Sequence, residues 1–452
     1  MTDWLHGKRI AGALLLSFGA ALSQPTASAE TALLDFTPDE VRKILQHGPW
    51  PPPPARDAGN ARASDPQAVD LGRRLFFDRR LSIDGTMSCA SCHAPGQAFA
   101  DGRARSFGRV ALDRNAPSLW NAAHERWYGW DGGADSIWSQ AIRPLLDPRE
   151  MAGSAAHVEA VVAADPDLAC RFERAFGRPT TRGDSERTLV DVAKAIGAFV
   201  GTLVSGRTAF DEFRDALVAG DRRAAARYPA DAQRGLRLFV GPGRCTTCHV
   251  GPMFTHGEFG DIGLPFFVRP GQVDPGRHAG IAALRASPFN LLSRHADTAD
   301  GDVALKTRHV EPQHRNFGEF KVPSLRNIAE TALYMHDGQL PTLDAADALR
   351  RSAPRPAACR RPADPATAAY RCARARRHGR VPEDAFRSAR SRLAGAGGER
   401  LRAERSPVHP QYDFGWSSTF SAMNDRIICS VTGAMRVIMT SRSSRSTWYS
   451  FA

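Results

Sequence analysis

Met87-Ser88-Cys89-Ala90-Ser91-Cys92-His93 and, later in the chain, Arg244-Cys245-Thr246-Thr247-Cys248-His249 share the pattern C-x-x-C-H. The spacing serves one chemistry well: two thiols add to the two vinyl groups of a porphyrin, and the adjacent histidine brings its imidazole under the iron as proximal ligand. Two covalently bound c-type haems are expected, one held by Cys89, Cys92 and His93 and the other by Cys245, Cys248 and His249. A zinc site wants four ligands in a compact cluster, and a redox C-x-x-C has no use for the following histidine. No chemistry is assigned to Cys170, Cys359, Cys372 or Cys429.

The segments leading into the two motifs resemble each other. Gly72-Arg73-Arg74-Leu75-Phe76-Phe77 precedes the first, and Gly235-Leu236-Arg237-Leu238-Phe239-Val240 precedes the second, a weak internal repeat that fits two related haem domains. Ser64-Asp65-Pro66 is a helix start, with Val69, Leu71, Leu75 and Phe76 on one stripe. A second start follows Tyr228-Pro229. Between them the proline-free, periodic run from Thr188 to Leu217 predicts one long helix. Strand-like alternation is scarce, so the expected fold is mainly α, with two cytochrome c-like haem domains, residues 64–220 and 221–348, and long loops around the haems.

The ends of the chain read differently from this body. Residues 1–29 have the form of a secretory signal, with Lys8 and Arg9, the apolar run Ile10 to Leu22, and Ala27-Ser28-Ala29 as a small-residue cleavage site. Export to the periplasm is expected, with no stable membrane insertion after cleavage; c-type haem attachment also takes place outside the cytoplasm. Residues 30–63 form a Pro-rich leader, stiffened by Pro51 to Pro54.

The 452-residue chain is 42% hydrophobic and 24% charged, ordinary for a globular protein, and carries a net charge of +12. That charge does not argue for a nucleic-acid partner, because it is confined to the tail: residues 349–452 hold 20 Arg and 7 acidic residues, and residues 1–348 are close to neutral. The tail is crowded with Arg, Ala and Pro and has no amphipathic period. Such composition is what a GC-rich gene yields when read out of frame, and GC-richness also fits a chain whose only lysines are Lys8, Lys43, Lys194, Lys306 and Lys321. A frameshift near residue 346 and a genuine basic extension are the two readings.

One further stretch bears on what the haems do. In Trp130-Asp131-Gly132, followed by Gln140, Pro144, Pro148, Glu150 and Met151, the Trp, Gln and Glu fall ten residues apart. Here the sequence resembles the bacterial di-haem cytochrome c peroxidase and MauG family, whose signature is W-D-G-x(7)-Q-x(3)-P-x(3)-P-x-E-M. Further matches are Arg114-Asn115-Ala116-Pro117-Ser118-Leu119, Phe320-Lys321-Val322-Pro323-Ser324-Leu325-Arg326-Asn327 and Tyr334-Met335-His336-Asp337-Gly338, so the resemblance spans residues 64–348.

The resemblance implies roles. Glu150 would be the general acid/base that moves a proton from the inner to the outer oxygen of peroxide at the His93 iron. Gln140 would orient the bound oxygen ligand, and Trp130 would conduct electrons between the irons. Taken singly, Glu150 also reads as a first-turn helix charge, Gln140 as surface and Trp130 as core. The resemblance also implies a calcium ion near the domain interface, bound by Asn115 and by the carbonyls of Thr331 and Leu333, where Leu replaces the family's usual Pro.

Two departures matter. Many members carry a histidine between the first haem motif and R-N-x-P that caps the resting peroxidatic iron, yet no histidine lies between His93 and His124 here. A five-coordinate His93 haem without reductive activation is therefore expected, with His124 structural. At the position of the second haem's distal ligand stands Arg350, which cannot ligate iron; if the tail is genuine, Met253 and Met335 are the remaining candidates.

The resemblance implies a periplasmic peroxidase that reduces hydrogen peroxide to water, with electrons entering at the His249 haem from a small cytochrome c or cupredoxin. A MauG-like oxidase acting on residues of a partner protein is the alternative within the family. A plain di-haem electron carrier is the alternative of another class, and it would need two six-coordinate irons.

Overall fold

The computed structural model describes residues 33–53, 57, 59–180, 183–264, 267–269, 272–297 and 304–346. The signal segment 1–29, the tail 349–452 and Arg350 lie outside the described residues. Eleven α-helices run through the described residues: α1 (Pro38–Leu45), α2 (Pro66–Phe76), α3 (Ile137–Leu146), α4 (Ala155–Ala164), α5 (Pro166–Phe176), α6 (Ser185–Gly201), α7 (Ala209–Val218), α8 (Arg222–Ala225), α9 (Ala230–Val240), α10 (Arg277–Ala286) and α11 (Leu305–His309). Strand structure among the described residues amounts to two short antiparallel pairs, Phe259–Gly260 with Phe320–Lys321 and Phe267–Arg269 with Gln272–Val273. The fold is mainly α, as expected from the sequence.

The chain forms two compact units. Among the described residues, the larger comprises residues 53–206 and 253–346, and the smaller comprises residues 33–52 together with 207–252. In the larger unit α2 begins where Asp65 accepts the Gln67 amide at 2.9 Å ahead of Pro66, satisfying a donor that the first helical turn leaves open. Its stripe of Leu71, Leu75 and Phe76 is fully buried with Trp138 of α3, Val158 and Val162 of α4, Leu168 and Phe172 of α5 and the inner face of α6.

The α2–α6 crossing depends on Gly72. A Cβ at this position would stand 1.8 Å from the Ala195 carbonyl oxygen, so the two backbones approach as closely as they do only because no side chain intervenes. Gly72→Ala gains helix propensity but overpacks the crossing. A loss of about 1–3 kcal/mol is expected, read as a lower Tm by calorimetry.

The smaller unit packs α1, α7, α8 and α9 around Ile44, Phe213, Ala216, Ala225, Leu236 and Val240. The boundary expected at 220/221 falls inside this unit, because α7 and α8 contribute Phe213, Ala216 and Ala225 to the same core. The leader is also more ordered than its prolines imply. Thr37 and Glu40 form a reciprocal capping box at the start of α1, and Gln233 of α9 accepts the Leu34 amide at 2.8 Å.

The single helix expected from Thr188 to Leu217 is broken into α6 and α7. The interruption has its own backbone partners: the Asn121 amide donates to Leu203 O at 2.7 Å, and Asn121 Oδ1 accepts from Ser205 N at 2.8 Å. Thr208 and Asp211 then cap a new helix.

Candidate active site

In the larger unit the first haem motif is a 3-10 turn, Cys89–Ser91, closed by the His93 amide on Cys89 O at 3.0 Å. Ser88 N bonds Ser91 Oγ at 3.0 Å across the turn. The His93 ring is held through Nδ1, which donates to Phe99 O at 3.0 Å. Ala98 and Phe99 adopt left-handed backbone (φ +52° and +56°), and the Ala94–Ala100 bridge closes this loop.

Burial lowers the His93 pKa and favours the neutral imidazole that ligates a metal. Burial also pushes the Cys89 thiol up to about 12 and that of Cys92 up to about 11. No group of three or more His, Cys, Asp or Glu side chains that could hold a metal ion occurs among the described residues. Cys89 and Cys92 are not joined in a disulfide. A neutral, oriented imidazole beside two protonated thiols is the donor set that c-type haem attachment uses.

Glu150 is brought close enough to this turn for its charge to act on both Cys89 and Cys92. It lies in the turn that ends α3, where Pro144 inside the helix and the bonds Glu150 N to Asp147 O, Met151 N to Pro144 O and Gly153 N to Leu145 O fold the chain back. Burial and the neighbouring Asp147 carboxylate raise the Glu150 pKa, against the pull of Arg143 and Arg149. Gln140 lies two turns earlier on α3 and accepts Arg143 Nη1 on Oε1 at 3.2 Å.

Trp130 is fixed by its Nε1, which donates to Asn115 Oδ1 at 2.9 Å and to Asn115 O at 3.1 Å, while the Lys321 amide donates to Trp130 O at 2.8 Å. Asn115 also donates its Nδ2 to Leu333 O at 2.9 Å and its backbone amide to His336 O at 2.9 Å. Four distant sequence segments therefore meet: W-D-G, R-N-x-P, the Phe320 strand and the Tyr334 to Gly338 loop. Within the last two, His336 stacks on Phe320 at 3.6 Å. Asn115 Oδ1 is turned to Trp130 Nε1 and Asn115 Nδ2 to the Leu333 carbonyl, so a calcium ion held by these residues would have to take both oxygens from those hydrogen bonds.

Beneath this cluster lies a buried ion network. Arg114 forks onto Asp274 through two bonds of 2.7 Å and reaches Asp131 Oδ2 at 2.7 Å; Asp131 Oδ1 accepts Gly133 N at 2.8 Å. Burial alone would raise the Asp131 pKa, but Arg114, Arg143 and the Gly133 amide together hold it well below the usual carboxylate range. Arg277 lies between the Trp127 and Phe259 rings, 4.2 and 4.0 Å from their centroids, and donates to Gly132 O at 2.8 Å. Asp274 and Arg277 were not anticipated, because the segment leading into α10 and the start of that helix carry no motif. Arg114 and Asp131 do lie within the quoted motifs, and an arginine and an aspartate recurring beside functional positions were the available signal.

In the smaller unit the second motif repeats the turn at Cys245–Thr247, with His249 N on Cys245 O at 2.9 Å and Gly243 N on Leu238 O at 2.8 Å tying it to α9. Cys245 and Cys248 are likewise not joined in a disulfide. Sequence reading passed over His47, which is fully buried against the Phe210 and Phe239 rings and bonds Gly251 O through Nδ1 at 3.2 Å.

A family model for di-haem cytochrome c peroxidase matches residues 66–218. The chain is similar to the methylamine utilization protein MauG of Methylorubrum extorquens, 35% identical over 74% of this chain and 82% of that protein. It is also similar to the cytochrome c551 peroxidase of Nitrosomonas europaea, 33% identical over 62% of this chain and 71% of that one. Among solved structures, the di-haem peroxidase BthA of Burkholderia thailandensis E264 aligns with 63% of this chain and 71% of its own, at 29% identity and a TM-score of 0.49. This chain belongs to the di-haem cytochrome c peroxidase and MauG family, oxidoreductases whose membership implies two c-type haems.

Proposed function

We propose that the protein is a periplasmic peroxidase that reduces hydrogen peroxide to water, with its peroxidatic haem on Cys89, Cys92 and His93 and its electron-entry haem on Cys245, Cys248 and His249. The observation that carries this reading is the place of Glu150: a carboxyl whose pKa is raised by burial, close to the Cys89–Cys92 turn. When bound, the haems supply an iron that takes peroxide as ligand and the two electrons that cleave its O–O bond.

Reduction to two waters consumes two protons with those electrons. Glu150 would take a proton from one peroxide oxygen and return it to the other, the leaving group, a task suited to a carboxyl whose pKa is raised by burial. Gln140 orients the ligand by hydrogen bonding. Trp130, held at Nε1 by two acceptors on Asn115, would pass electrons through its indole ring. Asn115 itself ties Leu333 to Trp130, and calcium held by Asn115, Thr331 and Leu333 would replace the Asn115 Nδ2–Leu333 O bond in that role. A small cytochrome c or cupredoxin is the proposed electron donor. No described helix is long and apolar enough to cross a membrane.

The absence of any histidine between His93 and His124 supports a resting His93 iron with an open position. Ferric holoprotein is expected to show a high-spin component by electron paramagnetic resonance; a purely low-spin spectrum would contradict this. The same feature keeps the MauG-like reading in view. Rapid mixing of diferric holoprotein with peroxide separates the two: prompt return to the ferric state only when reduced cytochrome c is supplied supports the peroxidase, whereas a long-lived oxidised species indifferent to cytochrome c supports partner oxidation.

A further inference from the structure

Arg143 lies three residues after Gln140 on α3, so the two side chains share a helix face. Its Nη1 donates to Gln140 Oε1 at 3.2 Å and stands 3.4 Å from Asp131 Oδ1, with Nη2 3.5 Å from Asp131 Oδ2. A guanidinium is a donor only, so the Gln140 amide must turn its oxygen toward Arg143, which leaves its NH2 as the end able to donate elsewhere.

The surroundings are shaped for this fork. A Cβ at Gly133 would come within 2.7–3.1 Å of the Arg143 guanidinium. At Gly129 (φ +75°) a Cβ would stand 3.1 Å from Arg143 Nη1 and 3.4 Å from Gln140 Oε1. Gly133 thus leaves open the space that the Arg143 guanidinium occupies, and at Gly129 the positive φ itself favours glycine. The far end is fixed in turn, since Asp131 is buried and held by Arg114 and the Gly133 amide.

We propose that Arg143 is a positioning residue: it clamps the Gln140 amide oxygen against the Asp131 carboxylate, so that the Gln140 NH2 is the group presented to an anionic or oxygen ligand at the His93 haem. The proposal rests on the reading of Gln140 as the ligand-orienting residue.

Fluoride is a suitable probe, because as a ligand of ferric haem it can only accept hydrogen bonds. Its affinity is measured by absorbance titration of ferric holoprotein for the native chain, Gln140→Leu, Arg143→Gln, Arg143→Lys and the double variant Gln140→Leu/Arg143→Gln, each checked for haem content. Gln140→Leu and Arg143→Gln are each expected to weaken fluoride binding about tenfold, the scale of one hydrogen bond to a charged ligand. The double variant should be no weaker than either single one, and Arg143→Lys, which still donates to Oε1, should recover part of the loss. A merely structural arginine would give additive losses and no rescue by lysine.

If Gln140→Leu weakens fluoride binding and Arg143→Gln does not, the positioning role is wrong while the reading of Gln140 survives. If Gln140→Leu has no effect, or the native ferric protein binds no fluoride, the reading of Gln140 falls and the proposal with it. Should Arg143→Gln fail to retain both haems, Arg143→Lys carries the same cycle against Gln140→Leu; additive losses there overturn the proposal.

Discussion

Glu150→Gln is expected to lower kcat/KM for hydrogen peroxide by about 10²- to 10⁴-fold, the contribution of a positioned general acid/base, while both haems remain attached. Glutamine keeps the volume and one hydrogen-bonding oxygen of the carboxyl but cannot accept and return a proton. Because the haem thioethers and the His93 axial bond are untouched, the absorption spectrum of the resting protein should change little. The loss should therefore appear in turnover and not in haem content. Burial and Asp147 raise the Glu150 pKa, so the native rate should depend on pH in a range above that of an ordinary carboxylate, and this limb should vanish in the variant. An unchanged rate in Glu150→Gln would remove Glu150 from the chemistry.

The second large effect is on stability. Asp131→Asn leaves Arg114 and Arg143 facing a neutral amide in a buried site, and breaking a buried ion pair from one side costs about 3–5 kcal/mol. The pH dependence has a definite sign. The folded-state pKa of Asp131 lies below its unfolded value, so its stabilisation is fully present above an unfolded pKa of about 3.9 and is lost as pH falls below that toward the folded value. Thermal melts between neutral pH and about pH 3 should show the native protein losing stability at the acid end, with Asp131→Asn starting lower and losing less over the same range. Parallel curves for the two proteins would mean that Asp131 does not carry this ion network.

What the sequence revealed and what it hid divide along a physical line. The haem turns were legible because covalent attachment demands Cys, Cys and His at a local spacing, and the start of α2 was legible because Asp65-Pro66 is a local cap. The joint spacing of Trp130, Gln140 and Glu150 was read as one site; the chain reversal after Pro144 carries Glu150 back from α3, and its charge is felt at Cys89 and Cys92. The break between α6 and α7 was hidden, since its backbone is held by Asn121 from a distant loop and nothing within Thr188 to Leu217 announces it except the Thr208–Asp211 cap. Long-range partners such as Asp274 for Arg114 could not be paired from sequence for the same reason. His47 shows no local pattern at all; only its burial against Phe210 and Phe239 marks it.

The most direct measurement is steady-state oxidation of a reduced small cytochrome c by the purified holoprotein as hydrogen peroxide is added, with and without prior reduction of the enzyme. Peroxide-dependent turnover of two cytochromes per peroxide, present without prereduction and lost in Glu150→Gln, is the predicted result. Two intact haems with no peroxide-dependent oxidation of any small cytochrome c or cupredoxin would contradict it.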